Sequence, residues 1–527
     1  MALLIQAIRQ PIGADERELP GILAAALSVD PKTIESVRLF RRALDARKGR
    51  DLHFDLQLIA EFDASTERAL RARGDKRIMP YVPPVQEEPC FGTEGLCAPI
   101  VIVGLGPGGL FCALRLAQHG YAPLVLERGL PVDARAQRVE RFFAGGAFDE
   151  TANVMFGEGG AGTFSDGKLT SRGKDARGRE VLETLARFGG PPEIQTDAKP
   201  HIGTDRLKLV VSAMRREIER LGGTVRFSAR LSGLGAAGRL LVNGDEALDC
   251  GALVLAIGQG ARDSYRMLRA AGVSMCQKAF AAGLRIEHPQ ALIDRAQYGA
   301  LAAELGLGAA SYALTARSGD RGVYTFCMCP GGRVIQSASA ARETVVNGMS
   351  DCARDGENAN AAIVVQVREA DCPAGVLGGV EFCESLERAA FLAGGADYRA
   401  PASRAGDFLK QKRPQGFGSV RPSCLPGVHP ADLWALLPPF IAQGIRDGIS
   451  GFARQLKGFD LYDAVLTGVE TRTSAPLRIE RGEDMRSLSH AYIYPVGEGA
   501  GYAGGIVSAA VDGIRAADAL MRRFARP

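Results

Sequence analysis

Ile100-Val101-Ile102-Val103-Gly104-Leu105-Gly106-Pro107-Gly108-Gly109-Leu110-Phe111-Cys112-Ala113 decides how the rest of this chain is read. A β-branched apolar run flows into G-x-G-x-x-G, then into an apolar helical pattern. Downstream, Leu124-Val125-Leu126-Glu127-Arg128 supplies a second apolar strand closed by an acid. The order strand, glycine turn, helix, strand, acid is that of a dinucleotide-binding βαβ unit. Gly104 permits the tight turn, Gly106 lets the backbone approach a pyrophosphate, and Gly109 lets the helix lie close to the strand. Free N–H groups and the positive end of the helix dipole then face the anion. Glu127 stands where a carboxylate accepts both hydroxyls of an adenosine ribose. An acid there disfavours a 2′-phosphate, so FAD or NAD fits better than NADP.

With 527 residues, 46% of them hydrophobic, the chain has material for two or three domains of ~100–200 residues each. The formal charge of +4 is spread through mixed-sign sequence and does not announce a nucleic-acid partner. Eleven cysteines are scattered, with Cys327 and Cys329 a close pair, and none has zinc spacing. This usage points to a reduced, cytoplasmic protein. Residues 1–8 are apolar but too short for a signal-peptide core, and no run approaches the ~18 apolar residues of a membrane span.

Residues 1–85 form a small α+β unit, with strands at 3–8, 37–44 and 53–59 and a helix at 19–26. Its basic cluster, Arg41, Arg42, Arg47, Lys48 and Arg50, has acids nearby and is expected to be a solvated charged face; contact with RNA, an acidic protein or the adjoining domain is the alternative. The proline-rich stretch 86–99 is a linker. The dinucleotide domain starts at residue 100 and runs to 272, through a charged helix at 132–143, an amphipathic helix at 207–221, a strand at 224–227, a β-meander, and the apolar strand ending in Ala256-Ile257-Gly258. Residues 273–440 lack the βαβ rhythm and form a substrate or cap domain, after which 441–527 returns to the first domain. A broken helix at 433–449 is interrupted by Pro438-Pro439. The fold class is therefore α/β: a Rossmann-like domain with a β-meander, an inserted α+β cap and a small N-terminal α+β domain.

Two further glycine-rich stretches carry chemistry. In Phe156-Gly157-Glu158-Gly159-Gly160-Ala161-Gly162-Thr163-Phe164-Ser165-Asp166-Gly167-Lys168-Leu169 the glycines mark backbone that passes close to something, expected to be the flavin ring and ribityl chain. In Tyr494-Pro495-Val496-Gly497-Glu498 a strand meets an acid, and Gly504-Gly505-Ile506 opens a small-residue helix. In FAD enzymes such an acid binds the ribityl chain, and such a helix N-terminus stabilises the anionic reduced flavin. These stretches narrow the cofactor to FAD.

The motifs resemble a bacterial family of uncharacterised FAD-dependent dehydrogenases, within the flavoproteins sharing the glutathione-reductase-type FAD fold. The resemblance rests on VIVGLGPGGL (101–110), FGEGGAGTFSDGKL (156–169), HIGTD (201–205), FCMCPGGRV (326–334), VVNGMS (345–350), TGVETRTSAPLRI (467–479) and YPVGEGAGYAGGI (494–506), with DARKG (45–49) resembling the family's N-terminal domain. It implies an FAD-dependent oxidoreductase and leaves the substrate open.

The residues assigned to FAD are Gly104, Gly106, Pro107, Gly108, Gly109, Glu127 and Arg128 in the first turn; Gly159, Gly160, Gly162, Thr163, Ser165, Asp166, Gly167 and Lys168 in the loop; Ala229; Ala256, Ile257 and Gly258; and Gly497, Glu498, Gly504, Gly505 and Ile506. The catalytic candidates are Lys168, Asp166, Arg472 and Cys327. Lys168 can stabilise negative charge at the flavin or make a phosphate or surface contact. Arg472 can anchor an anionic substrate, touch flavin or form a structural ion pair. His201 is read as a helix-capping or core residue before a proton donor. Cys327 and Cys329 share a strand face, but a C-x-C disulfide is strained, and packing beside the ring is the first expectation.

Only one dinucleotide fingerprint is present. A small-molecule substrate, an unidentified electron donor or acceptor and no membrane are expected. The alternatives are a monooxygenase-like cap that receives NAD(P)H transiently, and a protein- or RNA-binding module, through residues 1–85, in which FAD is structural.

Overall fold

A computed structural model describes residues 2–47, 51–83, 89–171, 173, 175–300, 304 and 306–527. Met1, Lys48 and Arg50 of the basic cluster, Gly49 of the DARKG motif, and residues 84–88 at the start of the linker lie outside these. The central layer is a five-stranded parallel sheet in the order Ile493–Pro495, Ala252–Leu255, Ile100–Val103, Leu124–Leu126, Thr224–Arg226. Its inner strands are fully apolar because a parallel sheet is covered on both faces; Ile100, Val101 and Ile102 are at most 1% exposed. Helices Pro107–Gln118, Thr204–Arg220 and Ile506–Arg523 pack on one face, and the antiparallel meander Leu231–Leu234, Arg239–Val242, Glu246–Asp249 covers the other.

Over the mouth of this layer stands a seven-stranded sheet in the order Thr315–Ser318, Arg321–Cys329, Asn358–Val367, Phe280–Pro289, Val465–Glu470, Ala400–Arg404, Val428–Pro430. It is antiparallel except for the last pair. Helix Pro439–Gln455 packs against this sheet, and strand Val465–Glu470 lies inside it. The chain therefore leaves the cap after residue 470, not at 440. The reason is that Ile441, Ile445, Ile449 and Phe452 bury one helical stripe against the cap core. As the proline pair implies, helix Leu433–Leu436 ends before Pro438 and the next begins at Pro439.

The N-terminal unit is a four-stranded antiparallel sheet, Ile34–Asp45, His53–Phe62, Leu3–Pro11, Ile78–Pro80, carrying helices Leu19–Leu27 and Ala64–Ala72. Arg42 of the basic cluster serves an internal contact: its backbone exchanges hydrogen bonds with Thr196 and Ala198, and its guanidinium reaches Asp197 at 3.2 Å. The described part of the linker is docked too, with Gly92 N–H donating to Met521 and Glu94 paired to Arg523 at 2.7 Å.

Candidate functional site

The parallel sheet delivers its strand ends to one cavity of about 1210 Å³, roofed by the seven-stranded sheet. It exceeds the ~300–1,000 Å³ usual for a drug-sized ligand. The first turn forms one end. Gly104 has φ +100°, and a Cβ there would lie 2.3 Å from the Ala256 carbonyl oxygen. A Cβ on Gly109 would lie 1.9 Å from the Gly104 carbonyl oxygen, so this glycine serves helix-to-strand packing from behind the wall. Helix Pro107–Gln118 points its N-terminus, Pro107 and Gly108, into the cavity.

Glu127 is 4% exposed and at the wall. Its carboxylate accepts N–H groups from Leu105 at 2.8 Å, Gly129 at 2.9 Å and Gly157 at 3.0 Å. A carboxylate has about four acceptor directions. Backbone takes three of them, so Glu127 has room for about one ribose hydroxyl and also ties the first turn to the 157 loop.

That loop is held from inside by a residue the sequence reading passed over. Arg135, fully buried in helix Val132–Phe143, donates to the carbonyls of Asn153, Val154, Gly157 and Glu158 at 2.7–3.3 Å. Burial lowers its pKa to about 10, against the opposing charges of Glu127 and Glu158. Glu158, also fully buried, caps the Val132 N–H at 2.7 Å and pairs with Arg215 at 2.8 Å. In sequence Arg135 is one arginine in a charged helix; nothing local distinguishes it.

At the other end Gly497 N–H donates to Asp512, which is paired with Arg481 at 2.6 Å. Gln259 Nε2 bridges Glu498 Oε1 and the Arg472 carbonyl, both at 2.8 Å. Burial, and then the nearby Cys327, raise the Glu498 carboxyl to about 7, with Lys278 opposing. Gly505 caps helix Ile506–Arg523, so a second helix N-terminus faces the cavity.

On the cap side, Asp166 is fully buried and accepts from Arg354 at 2.9 Å, Lys168 at 2.9 Å and the Ser350 hydroxyl. Burial pushes its carboxyl up, but the charges of Lys168 and Arg354 outweigh this and hold it well below the usual carboxylate range. Asp166 is thus an anchor for Lys168, whose ammonium also donates to the Met328 carbonyl. Arg472 pairs with Glu387 at 3.1 Å within a buried set that includes Arg262 and Glu343. Its Nε and Nη1 have no hydrogen-bond partner among the described residues although the side chain is only 4% exposed and borders the cavity. A polar ligand against these N–H groups would satisfy them.

Of the residues assigned from sequence, all four catalytic candidates and every FAD candidate except Gly109, Gly159 and Thr163 border this cavity. Gly159 donates to the Leu105 carbonyl at 2.9 Å, and Thr163 to that of Glu158 at 3.3 Å, behind the surface. His201 sits off the wall with Nε2 3.0 Å from the Cys352 carbonyl, its imidazole pushed below its ordinary pKa by burial and by Arg354. Arg354, Gln259, Arg285 and Glu387 were not singled out in sequence, since these partners lie 125 to 239 positions away.

A protein of Clostridium beijerinckii, described as uncharacterised, is 44% identical over the whole of both chains. The chain belongs to the family of that clostridial protein. Within it, residues 279–473 match the family described as FAD-dependent protein, C-terminal domain-like, and residues 3–61 match a domain of unknown function, DUF8436. The match to that C-terminal domain coincides with the cap sheet, and DUF8436 with most of the N-terminal sheet. Among solved structures, CtdE in complex with FAD aligns over 80% of this chain and 82% of that one at 12% identity and a TM-score of 0.33. Glycine oxidase from Geobacillus kaustophilus aligns over 81% and 95% at 10% identity and a TM-score of 0.37. Among the described residues no helix is long and apolar enough to cross a membrane.

Proposed function

We propose that the cavity holds FAD and that the chain is an FAD-dependent oxidoreductase, of dehydrogenase or reductase type, acting on a small substrate admitted against the cap sheet. One observation carries this reading: two helix N-termini and two carboxylates, Glu127 and Glu498, drawn from segments far apart in the chain border one cavity. Helix Pro107–Gln118 would take the pyrophosphate, Glu127 one adenosine ribose hydroxyl, Glu498 the ribityl chain, and helix Ile506–Arg523 the pyrimidine end of the ring. Bound FAD would supply two-electron redox chemistry. Lys168, fixed by Asp166, holds positive charge at the cap-side wall. Tyr324 and Phe326, about 40% exposed on the cap strand, offer apolar surface to a substrate. Cavity size favours a dinucleotide with room beside it, whereas the likenesses to solved structures bear on no particular reaction.

The purified protein is expected to show a flavin spectrum, to release FAD on heating and to bleach on anaerobic reduction. Release of no flavin, or of FMN alone, would sink the reading. Stopped-flow mixing with NADH, NADPH and reduced ferredoxin then tells a transient nicotinamide donor from another carrier.

A further inference from the structure

Cys327 stands on the cap strand Arg321–Cys329, at the cavity wall and partly exposed, while Cys329 is fully buried behind it. In a regular strand these positions would be ~6.6 Å apart along the chain, at the far limit of the Cα separation a disulfide tolerates. Here the strand is irregular. Its register against Asn358–Val367 shifts between Phe326 and Cys329, and Cys327 has φ +42°, in the left-handed region. The kink turns Cys329 Sγ back toward Cys327, 3.4 Å from the Cys327 carbonyl oxygen. The segment is gripped by cations: Lys168 donates to the Met328 carbonyl between the two cysteines, and the fully buried Arg285 donates to the Cys327 carbonyl at 3.1 Å. The neighbouring Cys329 thiol lowers the Cys327 thiol's pKa; burial opposes this, and the Lys168 and Arg285 charges reinforce it. The neighbouring Cys327 and burial drive Cys329 the other way.

We propose that Cys327 and Cys329 form a redox-active dithiol, with Cys327 the attacking and Cys329 the resolving sulfur, and that a small-molecule disulfide is a substrate of this cavity. The Cys327 thiolate attacks one sulfur of the disulfide; the S–S bond breaks, one thiolate departs, and a mixed disulfide forms on Cys327. Cys329 passes its proton to the departed thiolate, and its sulfur displaces the second thiolate from Cys327. The protein's two thiols have lost two electrons to form one internal disulfide, and the small disulfide has become two thiols, one as thiolate. The division of roles follows from position: only Cys327 meets the cavity, and its thiolate is the reactive form. A strained C-x-C link is oxidising and easily reopened, which suits exchange and not permanent cross-linking.

The step uses the protein's own thiols and does not depend on FAD being the cavity's cofactor. The full-length protein, as isolated, is reduced, desalted, treated with glutathione disulfide and mapped by mass spectrometry after alkylation under denaturing conditions. The expected result is loss of alkylation at both Cys327 and Cys329 through an internal link, with glutathione trapped on Cys327 in Cys329→Ser and Cys329 still alkylated in Cys327→Ser. The proposal is overturned if both cysteines of the wild-type protein stay alkylated at a concentration that modifies the exposed Cys276, or if glutathione stays on Cys327 with no internal link. Should a serine variant not fold, the wild-type map decides alone. The flavin spectrum of the same sample is read separately, so failure of the FAD reading shows as a missing chromophore with thiol exchange intact.

Discussion

The two walls of the cavity are built differently. The sheet-side wall is mostly backbone: glycines of the Gly104 turn, of the loop at Gly160, Gly162 and Gly167 and of the start of helix Ile506–Arg523 line it, and the side chains that hold it, Glu127 and Arg135, spend their bonding capacity on main chain. The cap wall is mostly side chain: Asp166 with Arg354, Arg285 with Glu470, and Arg472 with Glu387 are ion pairs joining distant segments, and Lys168 joins the first of them from two residues away. A backbone wall suits a ligand of fixed shape approached closely. A wall of paired charges sets local potential and reactive geometry, and its state depends on pH.

Arg135→Met is expected to damage the backbone wall most. It takes the Arg135 donor from the Asn153 and Val154 carbonyls, while those of Gly157 and Glu158 keep the Gly160 N–H and the Thr163 hydroxyl, and a loss of ~3–5 kcal/mol in denaturant unfolding follows from two buried acceptors at ~1–3 kcal/mol each. A loss below ~1 kcal/mol would mean the loop does not depend on its clamp.

Gly109→Ala comes next, at ~2–3 kcal/mol, because its Cβ would meet a backbone oxygen that has little room to move. Gly504→Ala is the matched control: nothing lies within 4 Å of its Cβ, so its unfolding midpoint should stay within ~0.5 kcal/mol of wild type. Equal losses at the two sites would break the distinction between glycines used for packing and glycines that line the cavity.

The cap wall is probed by Asp166→Asn, expected to cost ~1–2 kcal/mol near neutral pH, less than a fully buried pair because Lys168 and Arg354 keep part of their solvation. The sign in acid is determined by the depressed carboxyl: the folded protein binds fewer protons than the unfolded chain, so the contribution is present above the ordinary value of 3.8 and fades as pH falls below it. Melting temperatures measured from pH 6 down to ~2 should draw closer for wild type and variant once the pH is below the ordinary carboxyl value, without yet meeting. Parallel curves would show that Asp166 is not the group responsible.

The sequence already contained the turn at Gly104, the apolar strands and the two later glycine stretches, because these depend on residue type over a few neighbouring positions. It also brought Lys168, Asp166, Arg472 and Cys327 forward as candidates, all at the cavity wall. It misjudged the acceptor capacity of Glu127, since nothing in Leu126-Glu127-Arg128 announces that Gly157 N–H will occupy it. The cap's end at residue 470 was hidden for a related reason: the apolar stripe of helix Pro439–Gln455 fits either core by pattern alone.

By itself, then, the sequence determined a dinucleotide-type parallel layer and the glycine segments that gather at its mouth, through local sterics and periodicity. Only the tertiary structure decided which charges meet there. Arg135 becomes a clamp and Asp166 an anchor, and Cys327 becomes a kinked, cation-flanked thiol at the wall. An ion pair across 188 positions is selected by the energy of burying both partners together, and that energy exists only once the chain has folded.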